Sequence, residues 1–367
     1  MVVALGVDVH KKSHTVVAAD AAGRQLAQLR VQASQEGDQQ ALRWARTEFP
    51  GEELVWGVED CRSYSMRLER DLLAAGQQVR RAPAKLMAQC RASARTVGKS
   101  DPIDALAVAR AVLREPALPT ARLEETAREL RLLVDHREHL VQQRTRWINR
   151  LRVHLQELDP QREPRTLTSR TAQRRLAEWL TGQPGLAAEL AGDALAQVSV
   201  DTVAILELEK RIARLVAGHP LQQIVGCAAL TAAKIIGETG GIDRFGSEAC
   251  YARHTGVAPI PVWSGNTAGR VRLSRSGNRQ LNAALHRIAL TQRRCTDSEG
   301  HAYYQRRRAA GLDRPSAMRC LKRQLNKTVY RILLAASNDP SQACFPDQPT
   351  RRRAGAVKMQ PPTEERS

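Results

Sequence analysis

Four acidic residues occupy positions where they could bind metal ions. Asp8 and Glu59 each follow a short apolar run that is typical of a buried strand, and Asp101 and Asp104 stand three residues apart at the start of a predicted helix. An ionised carboxylate at the end of a buried strand needs a partner. Carboxylate oxygens are the hard ligands that Mg²⁺ prefers, and a pair of such ions stabilises the attacking and leaving oxygens of phosphoryl transfer. The four carboxylates therefore form a candidate site for two Mg²⁺ ions.

Two of these acids also have a structural interpretation, and a third has a neighbour that could take its place. Asp101 followed by Pro102 fits the N-cap and first turn of a helix, and Asp104 suits the positive end of the helix dipole. Glu59 is followed by Asp60, so the pattern leaves open which of these two acids faces the site.

His10 and His14 follow Asp8 closely in the chain. We interpret both as surface or hydrogen-bonding residues and do not assign either as a metal ligand.

Ser264 is a candidate nucleophile in a glycine-rich loop. It precedes Gly265 and follows the segment Gly-Val-Ala-Pro-Ile-Pro-Val-Trp at 256–263. A serine hydroxyl becomes a nucleophile only when a base, a metal or nearby cations activate it, so the alternative is an ordinary turn serine. The basic residues of the following run are Arg270, Arg272, Arg275 and Arg279.

The N-terminal part of the chain, which must position the acidic residues, has an α/β pattern. Within about the first 110 residues, turn and cap signals separate short apolar runs from helical periods, which indicates a mixed α/β domain. The predicted strands cover 2–9, 13–19, 25–31, 53–58 and 78–81, and the predicted helices cover 36–48 and 63–75.

A long helix is predicted over Glu124–Asp159. Leu133, Leu140 and Trp147 repeat every seven residues within it, which favours a helical hairpin or coiled coil with a second helix near Asp201–Val216. The ordinary function of such a pair is a spacer or an oligomer contact.

The C-terminal part begins near Leu221 with a pattern similar to a helix-hairpin-helix. The segment 224–228 is followed by a helical run over 230–236 and by Gly240 and Gly241. A tight glycine turn lets backbone N–H groups approach a phosphate, but Ala228 stands at the usual second glycine. Phosphate binding and simple helix packing both remain open here.

The charge balance points to a polyanionic partner. The 367 residues carry 57 Lys and Arg against 38 Asp and Glu, a net charge of +19. Residues 265–367 alone carry 21 basic and 7 acidic residues. Aromatic residues at 4% are too few for a single-strand binder built on many stacking platforms.

The cysteine pattern and the lengths of the apolar runs indicate the cellular compartment. The seven cysteines include no Cys-x-x-Cys pair, which argues against a disulfide framework or a zinc ribbon. No signal-peptide pattern and no run of 18 apolar residues is present. We therefore expect a cytoplasmic, nucleoid-associated protein.

The motifs together resemble one family. They are Gly-Val-Asp-Val-His-Lys-Lys at 6–12, Val58-Glu59, Lys-Ser-Asp-Pro-Ile-Asp-Ala at 99–105 and the Ser264 segment. In order and spacing they are similar to the DEDD-type insertion-sequence transposases of family one-ten, relatives of the Piv invertases, from about Val3 to Ala335.

The resemblance implies a fold and a mechanism. The N-terminal domain should be RNase H-like, similar to the RuvC-like junction resolvases, and its acidic tetrad should bind Mg²⁺. Ser264 should form a covalent phosphoserine link to DNA, and Lys99 with the four arginines named above should contact nucleic acid. Family members act as synaptic oligomers, so we expect a dimer or tetramer. They are guided by a structured bridge RNA that pairs with donor and target DNA.

The sequence departs from the family pattern at three places. Ser100 stands where a threonine is usual, and residues 60–62 replace a small residue and Thr-Gly. Trp263-Ser264 replaces a serine pair, which leaves a single candidate nucleophile.

The predicted organisation has four parts. These are an RNase H-like domain at 1–120, a helical linker at 121–218, a mainly helical transposase domain at 219–338 and a flexible basic tail at 339–367. Two rival functions remain: a Mg²⁺-dependent nuclease or resolvase that uses water instead of serine, and a non-enzymatic basic nucleic-acid-binding oligomer.

Overall fold

The structure is a computed structural model that describes residues 2–59, 64–92, 100–115, 118–122, 124–162, 166–262, 270–273 and 277–338. The strands are β1 Val2–Val9, β2 Ser13–Ala19, β3 Gln25–Gln32, β4 Glu53–Glu59, β5 Gln78–Ala82, β6 Pro259–Val262 and β7 Arg270–Leu273. The first helices are α1 Gln35–Glu48, α2 Met66–Ala74, α3 Ala84–Ala92, α4 Asp101–Arg114, α5 Glu125–Leu158 and α6 Arg170–Leu180. The remaining helices are α7 Leu186–Leu215, α8 Ala229–Thr239, α9 Glu248–His254, α10 Arg279–Arg294, α11 Glu299–Ala309 and α12 Arg314–Asn338, with a 3₁₀ turn at Pro220–Gln223.

The N-terminal strands form one mixed five-stranded sheet. Its order is β3-β2-β1-β4-β5, with antiparallel pairing from β3 to β1 and parallel pairing from β1 to β5. This confirms the predicted α/β class. Side chains of a strand alternate between the two faces of the sheet, so every second residue of β1 and β4 lies on the same face.

Two glycines allow α4 to lie directly on one face of the sheet. Gly6 and Gly57 are paired across β1 and β4. A Cβ atom on Gly6 would lie 2.0 Å from the backbone oxygen of Ala105, and one on Gly57 would lie 2.6 Å from Cγ2 of Val112. We call this side of the sheet the glycine face. Because only glycine fits here, α4 packs backbone against backbone and its first turn reaches the carboxyl ends of the two strands.

The opposite face is a conventional apolar core. Alternate residues of β1 and β4, such as Val7 and Trp56, are fully buried against α1 and α2, which contribute Leu42, Leu68 and Leu72. Burying such side chains contributes about 1.5–3 kcal/mol each and fixes the register of the strands.

Helices α5 and α7 form a long antiparallel pair. Arg137 donates from Nε to Oε1 of Glu209 at 2.9 Å, and Gln143 bonds Asp201 further along. The second helix is longer than its predicted range, since it begins at Leu186. One end of the pair packs with α6, and the other end enters the core of the C-terminal helices.

The segment that resembles a helix-hairpin-helix differs from expectation. Its first helix is reduced to the 3₁₀ turn, and Gly226, at φ +88°, allows close contact with Thr291 of α10. Nε2 of Gln292 donates to the backbone oxygen of Val225 at 3.1 Å. These contacts favour the helix-packing alternative for this turn.

No helix in the described part of the chain is long and apolar enough to cross a membrane. The predicted basic tail at 339–367 lies outside the described residues.

Candidate active site

The register of the sheet brings Asp8 and Glu59 side by side. Val7 pairs with Val58 in the parallel ladder, and one further step along both strands leads to Asp8 and Glu59. Both acids lie two residues beyond the paired glycines, so both lie on the glycine face. A buried apolar run that ends in an acid on each of two neighbouring strands thus produces a pair of carboxylates.

The first turn of α4 supplies the other two acids. Its N-cap is Ser100, in extended conformation, so the prediction that Asp101 is the N-cap was wrong by one residue. Asp101 is the first helical residue and is half-exposed, whereas Asp104 is 8% exposed. Acidic residues in the first turn interact favourably with the helix dipole. We call Asp8, Glu59, Asp101 and Asp104 the acidic edge.

His10 links two members of the acidic edge. Its Nε2 lies 2.9 Å from Oδ2 of Asp8 and 3.4 Å from Oδ1 of Asp101. Burial raises the pKa of the Asp8 carboxyl, His10 opposes this rise, and the negative charges of Asp104 and Asp101 add to it. Repulsion between carboxylates is what a bound cation relieves.

The donor set fits a divalent cation. Ligand atoms of Asp8, His10 and Asp101 all lie within 4.8 Å of one another, so one ion could contact all three. Asp104 is close enough to raise the pKa of Asp8, and the strand register places Glu59 beside Asp8. Carboxylate oxygens and an imidazole nitrogen are common ligands of divalent ions.

Arg30 is a cation beside the acidic edge that the sequence analysis missed. Thr15 pairs with Asp8 on one side and with Arg30 on the other, so the three residues form one row across the sheet. Nη2 of Arg30 lies 3.9 Å from Oδ2 of Asp101 and donates to Oγ of Ser13 at 3.2 Å. Because its side chain is 69% exposed, Arg30 can reach a phosphate bound at this edge.

Five of the remaining predicted site residues fall within the sequence segment 264–279, which includes β7, and the sixth, Lys99, directly precedes Ser100 in the sequence. Ser264, Lys99 and Arg275 lie outside the described residues. Arg270 and Arg272 belong to β7, which pairs with β6 in antiparallel fashion, and Val262 is the partner of Arg270. The segment 263–269 that contains Ser264 therefore connects two paired strands. Arg279 begins α10 and is exposed.

Amide side chains hold the two ends of this hairpin together. We call residues 254–258 and 277–282 the hairpin base. The backbone N–H of Asn278 donates to the oxygen of His254 at 2.6 Å, and its Nδ2 donates to Oε2 of Glu238 at 2.6 Å. Oδ1 of Asn278 caps α10 by accepting from Gln280 and Leu281. The backbone of Asn278 thus joins the hairpin exit to the hairpin entry, and its side chain bonds α8 and fixes the start of α10.

Asn282 adds a second anchor to the hairpin base. Its Nδ2 donates to the backbone oxygens of Thr255 at 2.9 Å and Gly256 at 3.2 Å, and its Oδ1 accepts from Nζ of Lys322 at 2.5 Å. Burial lowers the pKa of Lys322. Oγ1 of Thr255 donates to Oδ1 of Asn326 at 2.7 Å. The entry to β6 is therefore held by groups from α10 and α12.

Two family models match this chain. A model described as a transposase of the DEDD IS110 type matches residues 5–160, and one described as the transposase IS116/IS110/IS902 family matches residues 218–305. Together they cover about two thirds of the chain. The first contains the acidic edge and the second contains the β6–β7 hairpin.

The chain is also similar to proteins of named insertion elements. It is 26% identical to an uncharacterized 44.8 kDa protein of insertion element IS116 from Streptomyces clavuligerus, over 90% of this chain and 94% of that protein. It is 25% identical to an uncharacterized 42 kDa protein of IS900 from Mycobacterium paratuberculosis, over 89% of this chain and 94% of that protein. Both halves of the molecule thus point to one kind of element, and the chain belongs to the IS110-type family of insertion-sequence transposases, enzymes that act on DNA.

Proposed function

We propose that this transposase cuts and rejoins DNA through a covalent link between Ser264 and a DNA phosphate, at a metal site in an RNase H-like domain. The observation that carries the proposal is the convergence of carboxylates from β1, β4 and α4 at one sheet edge. The mixed strand order supports the RNase H-like assignment. The proposed Mg²⁺ ligands are Asp8, Glu59, Asp101 and Asp104.

The carboxylates of the acidic edge would hold divalent ions at the point where the scissile phosphate binds. When bound, Mg²⁺ neutralises the carboxylates and stabilises negative charge on the attacking and leaving oxygens. The parallel pairing of β1 and β4 fixes the separation of Asp8 and Glu59, and the contact of α4 with the glycine face fixes Asp101. Arg30, at the exposed end of the same row, is placed to contact a phosphate oxygen.

The serine step exchanges one phosphate ester for another. Oγ of Ser264 forms a bond to phosphorus, the bond from phosphorus to one deoxyribose oxygen breaks, and the serine proton is transferred to solvent while the leaving oxygen takes up a proton. Because the number of phosphate ester bonds is unchanged, a strand can be rejoined by the reverse attack of a deoxyribose hydroxyl. This accounts for recombination without a separate energy source.

Five basic residues hold the nucleic acid. We assign phosphate contacts to Lys99, which precedes the α4 acids in the sequence, and to Arg270, Arg272, Arg275 and Arg279, for which the net charge of +14 over residues 265–367 is the support. A structured bridge RNA, implied by the family resemblance, selects donor and target DNA by base pairing.

The proposed assembly is a dimer that forms a tetramer on DNA. The division into a catalytic domain at 1–120, a helical linker at 121–218 and a transposase domain at 219–338 is part of this proposal. The α5–α7 pair, which runs between two of the cores, is placed to act as the spacer.

A denaturing-gel assay tests the serine assignment. Wild-type protein incubated with Mg²⁺ and element-end DNA should give a protein–DNA adduct, and Ser264→Ala should abolish it. Thr267→Ala removes another hydroxyl from the same segment and should leave the adduct unchanged. An adduct that persists at full level in Ser264→Ala would remove Ser264 from the mechanism.

The same gel separates the proposal from a nuclease that uses water. Such a nuclease would yield free DNA ends with no protein attached, and its cutting would survive Ser264→Ala. The RNA part needs its own measurement, which is sequencing of the small RNA that co-purifies with the protein. A defined structured RNA supports guidance, and its absence would favour a resolvase-like role.

A further inference from the structure

His10 lies between two acids that come from different elements. Asp8 is the second-last residue of β1 and Asp101 is the first of α4, and Nε2 of His10 lies within 3.4 Å of a carboxylate oxygen of each. Within the described ranges, these three residues are the group of His, Cys, Asp and Glu side chains whose ligand atoms are close enough to share one ion. The ring is about half-exposed, so an ion can reach it.

The spacing of the His10 nitrogen from the two carboxylate oxygens matches that of neighbouring ligands in an octahedral site. Ligand bonds of about 2.1 Å at right angles place neighbouring ligand atoms about 3.0 Å apart. The nitrogen–oxygen distances of 2.9 Å and 3.4 Å at His10 are close to this value. A neutral imidazole presents one bare ring nitrogen, which is the form that binds metals.

The chain holds the ring at this place through a tight turn. The backbone N–H of His10 donates to the oxygen of Ser13 at 3.1 Å, and this bond closes the connection between β1 and β2. The next pair of the antiparallel ladder is Val9 with His14. His10 is therefore fixed to the end of β1, two residues beyond Asp8.

We infer that His10 is a metal ligand through Nε2, alongside the carboxylates of Asp8 and Asp101, and that this site binds Mn²⁺ more tightly than Mg²⁺. The inference rests on the metal site of the proposed function and adds a nitrogen ligand to it. Mg²⁺ is a hard ion that favours an all-oxygen set, whereas an imidazole nitrogen shifts a site toward first-row transition ions. The preference follows from the nitrogen alone and does not involve Ser264.

Pulsed electron paramagnetic resonance of Mn²⁺ bound to the full-length protein tests this directly. A directly bound imidazole gives a nitrogen-14 modulation in the spectrum, which an all-oxygen site lacks. His10→Gln should remove the modulation and weaken Mn²⁺ binding by about tenfold or more. His139→Gln, a change at an exposed histidine of α5, should alter neither.

A second variant sharpens the result. His10→Asp replaces the nitrogen by a carboxylate, so it should keep a bound ion, lose the nitrogen modulation and lose the preference for Mn²⁺ over Mg²⁺.

The outcomes separate this inference from the proposed function. Mn²⁺ that binds wild-type protein, depends on Asp8 and shows no modulation sensitive to His10→Gln would overturn His10 as a ligand and leave the carboxylate site standing. Wild-type protein that binds no Mn²⁺, or binds it equally well after Asp8→Asn, would overturn the metal site itself.

Discussion

The acidic edge and the hairpin base are held in place in two different ways. At the acidic edge the main chain does the positioning: strand register aligns Asp8 with Glu59, and the contact of α4 with Gly6 brings Asp101 to them. At the hairpin base side-chain amides take a large part, since Nδ2 of Asn282 bonds the backbone oxygens of Thr255 and Gly256 ahead of β6, and Oδ1 of Asn278 caps α10.

The two regions also differ in charge. Residues 265–367 carry +14 of the total charge of +19, whereas the acidic edge gathers four carboxylates. Divalent ions bind where negative charge is concentrated, and a DNA backbone binds where positive charge is concentrated. Under the proposed function, metal binding and DNA binding therefore belong to separate parts of this chain, and each can be disturbed without the other.

The largest expected effect comes from a single change at the acidic edge. Asp101→Asn keeps the size of the side chain but removes a charged ligand, so strand cleavage should fall by at least about 100-fold. DNA binding, measured by fluorescence anisotropy, should be almost unchanged. Asp193→Asn on the exposed surface of α7 is the control and should cleave normally. Normal cleavage by Asp101→Asn would mean that α4 contributes only structure.

The next effect tests whether the main chain positions the acidic edge. Gly6→Ala places a methyl group against the backbone of Ala105 and Ala109, so the free energy of unfolding should fall by about 1–3 kcal/mol. Urea unfolding measures this change. Gly192→Ala lies within α7 with no atom near the added methyl group, so it should stabilise the protein by about 0.5–1 kcal/mol. Equal behaviour of the two variants would contradict the close contact of α4 with the sheet.

A smaller effect tests whether side chains position the hairpin. Asn278→Ala removes the cap of α10 and the bond to Glu238, so the free energy of unfolding should fall by about 1 kcal/mol. The rate of adduct formation should fall as well, because the start of α10, which directly follows the hairpin, is less firmly held.

Ser34→Ala is the matched control for Asn278→Ala. It removes the cap of α1, where Oγ accepts from the N–H of Gly37, and it costs a similar amount of stability. Its adduct rate should stay at the wild-type value. If both variants lose stability and neither loses rate, Asn278 has no positioning role.

The smallest effect concerns Arg279, one of the arginines proposed to contact DNA. Arg279→Gln should lower the salt dependence of DNA binding by about one unit in the log–log slope. Arg43→Gln, an exposed arginine on α1, should leave the slope unchanged. Titrations at several salt concentrations measure both, and an unchanged slope in Arg279→Gln would take that residue out of the DNA contact.

The sheet and the positions of its acids were predictable because both depend on local pattern. Apolar runs of β-branched residues predict buried strands, and the acids at 8 and 59 mark the points where two of them end. Pro102 after a serine and an aspartate predicts a helix start within one residue, which is the usual precision of such boundaries.

The neighbours of the acidic edge depend on long-range register, which no local pattern contains. Arg30 reaches Asp101 only because β3 pairs with β2 in a particular register, and His10 reaches it only because α4 packs on Gly6. The role of Asn278 is similar, since its bond to Glu238 joins segments 40 residues apart. Arg30 follows from the pairing of β1, β2 and β3 once their register is known. The contacts of His10 and Asn278 depend also on how the helices pack.

One double variant tests whether the acidic edge and Ser264 act on the same phosphate. The double variant Asp8→Asn/Glu59→Gln retains Ser264 and the hairpin base, so it should bind DNA as the wild type does and form no covalent adduct in the presence of Mg²⁺. A double variant that still forms the adduct at the wild-type rate would contradict the account, because Ser264 would then react without the acidic edge.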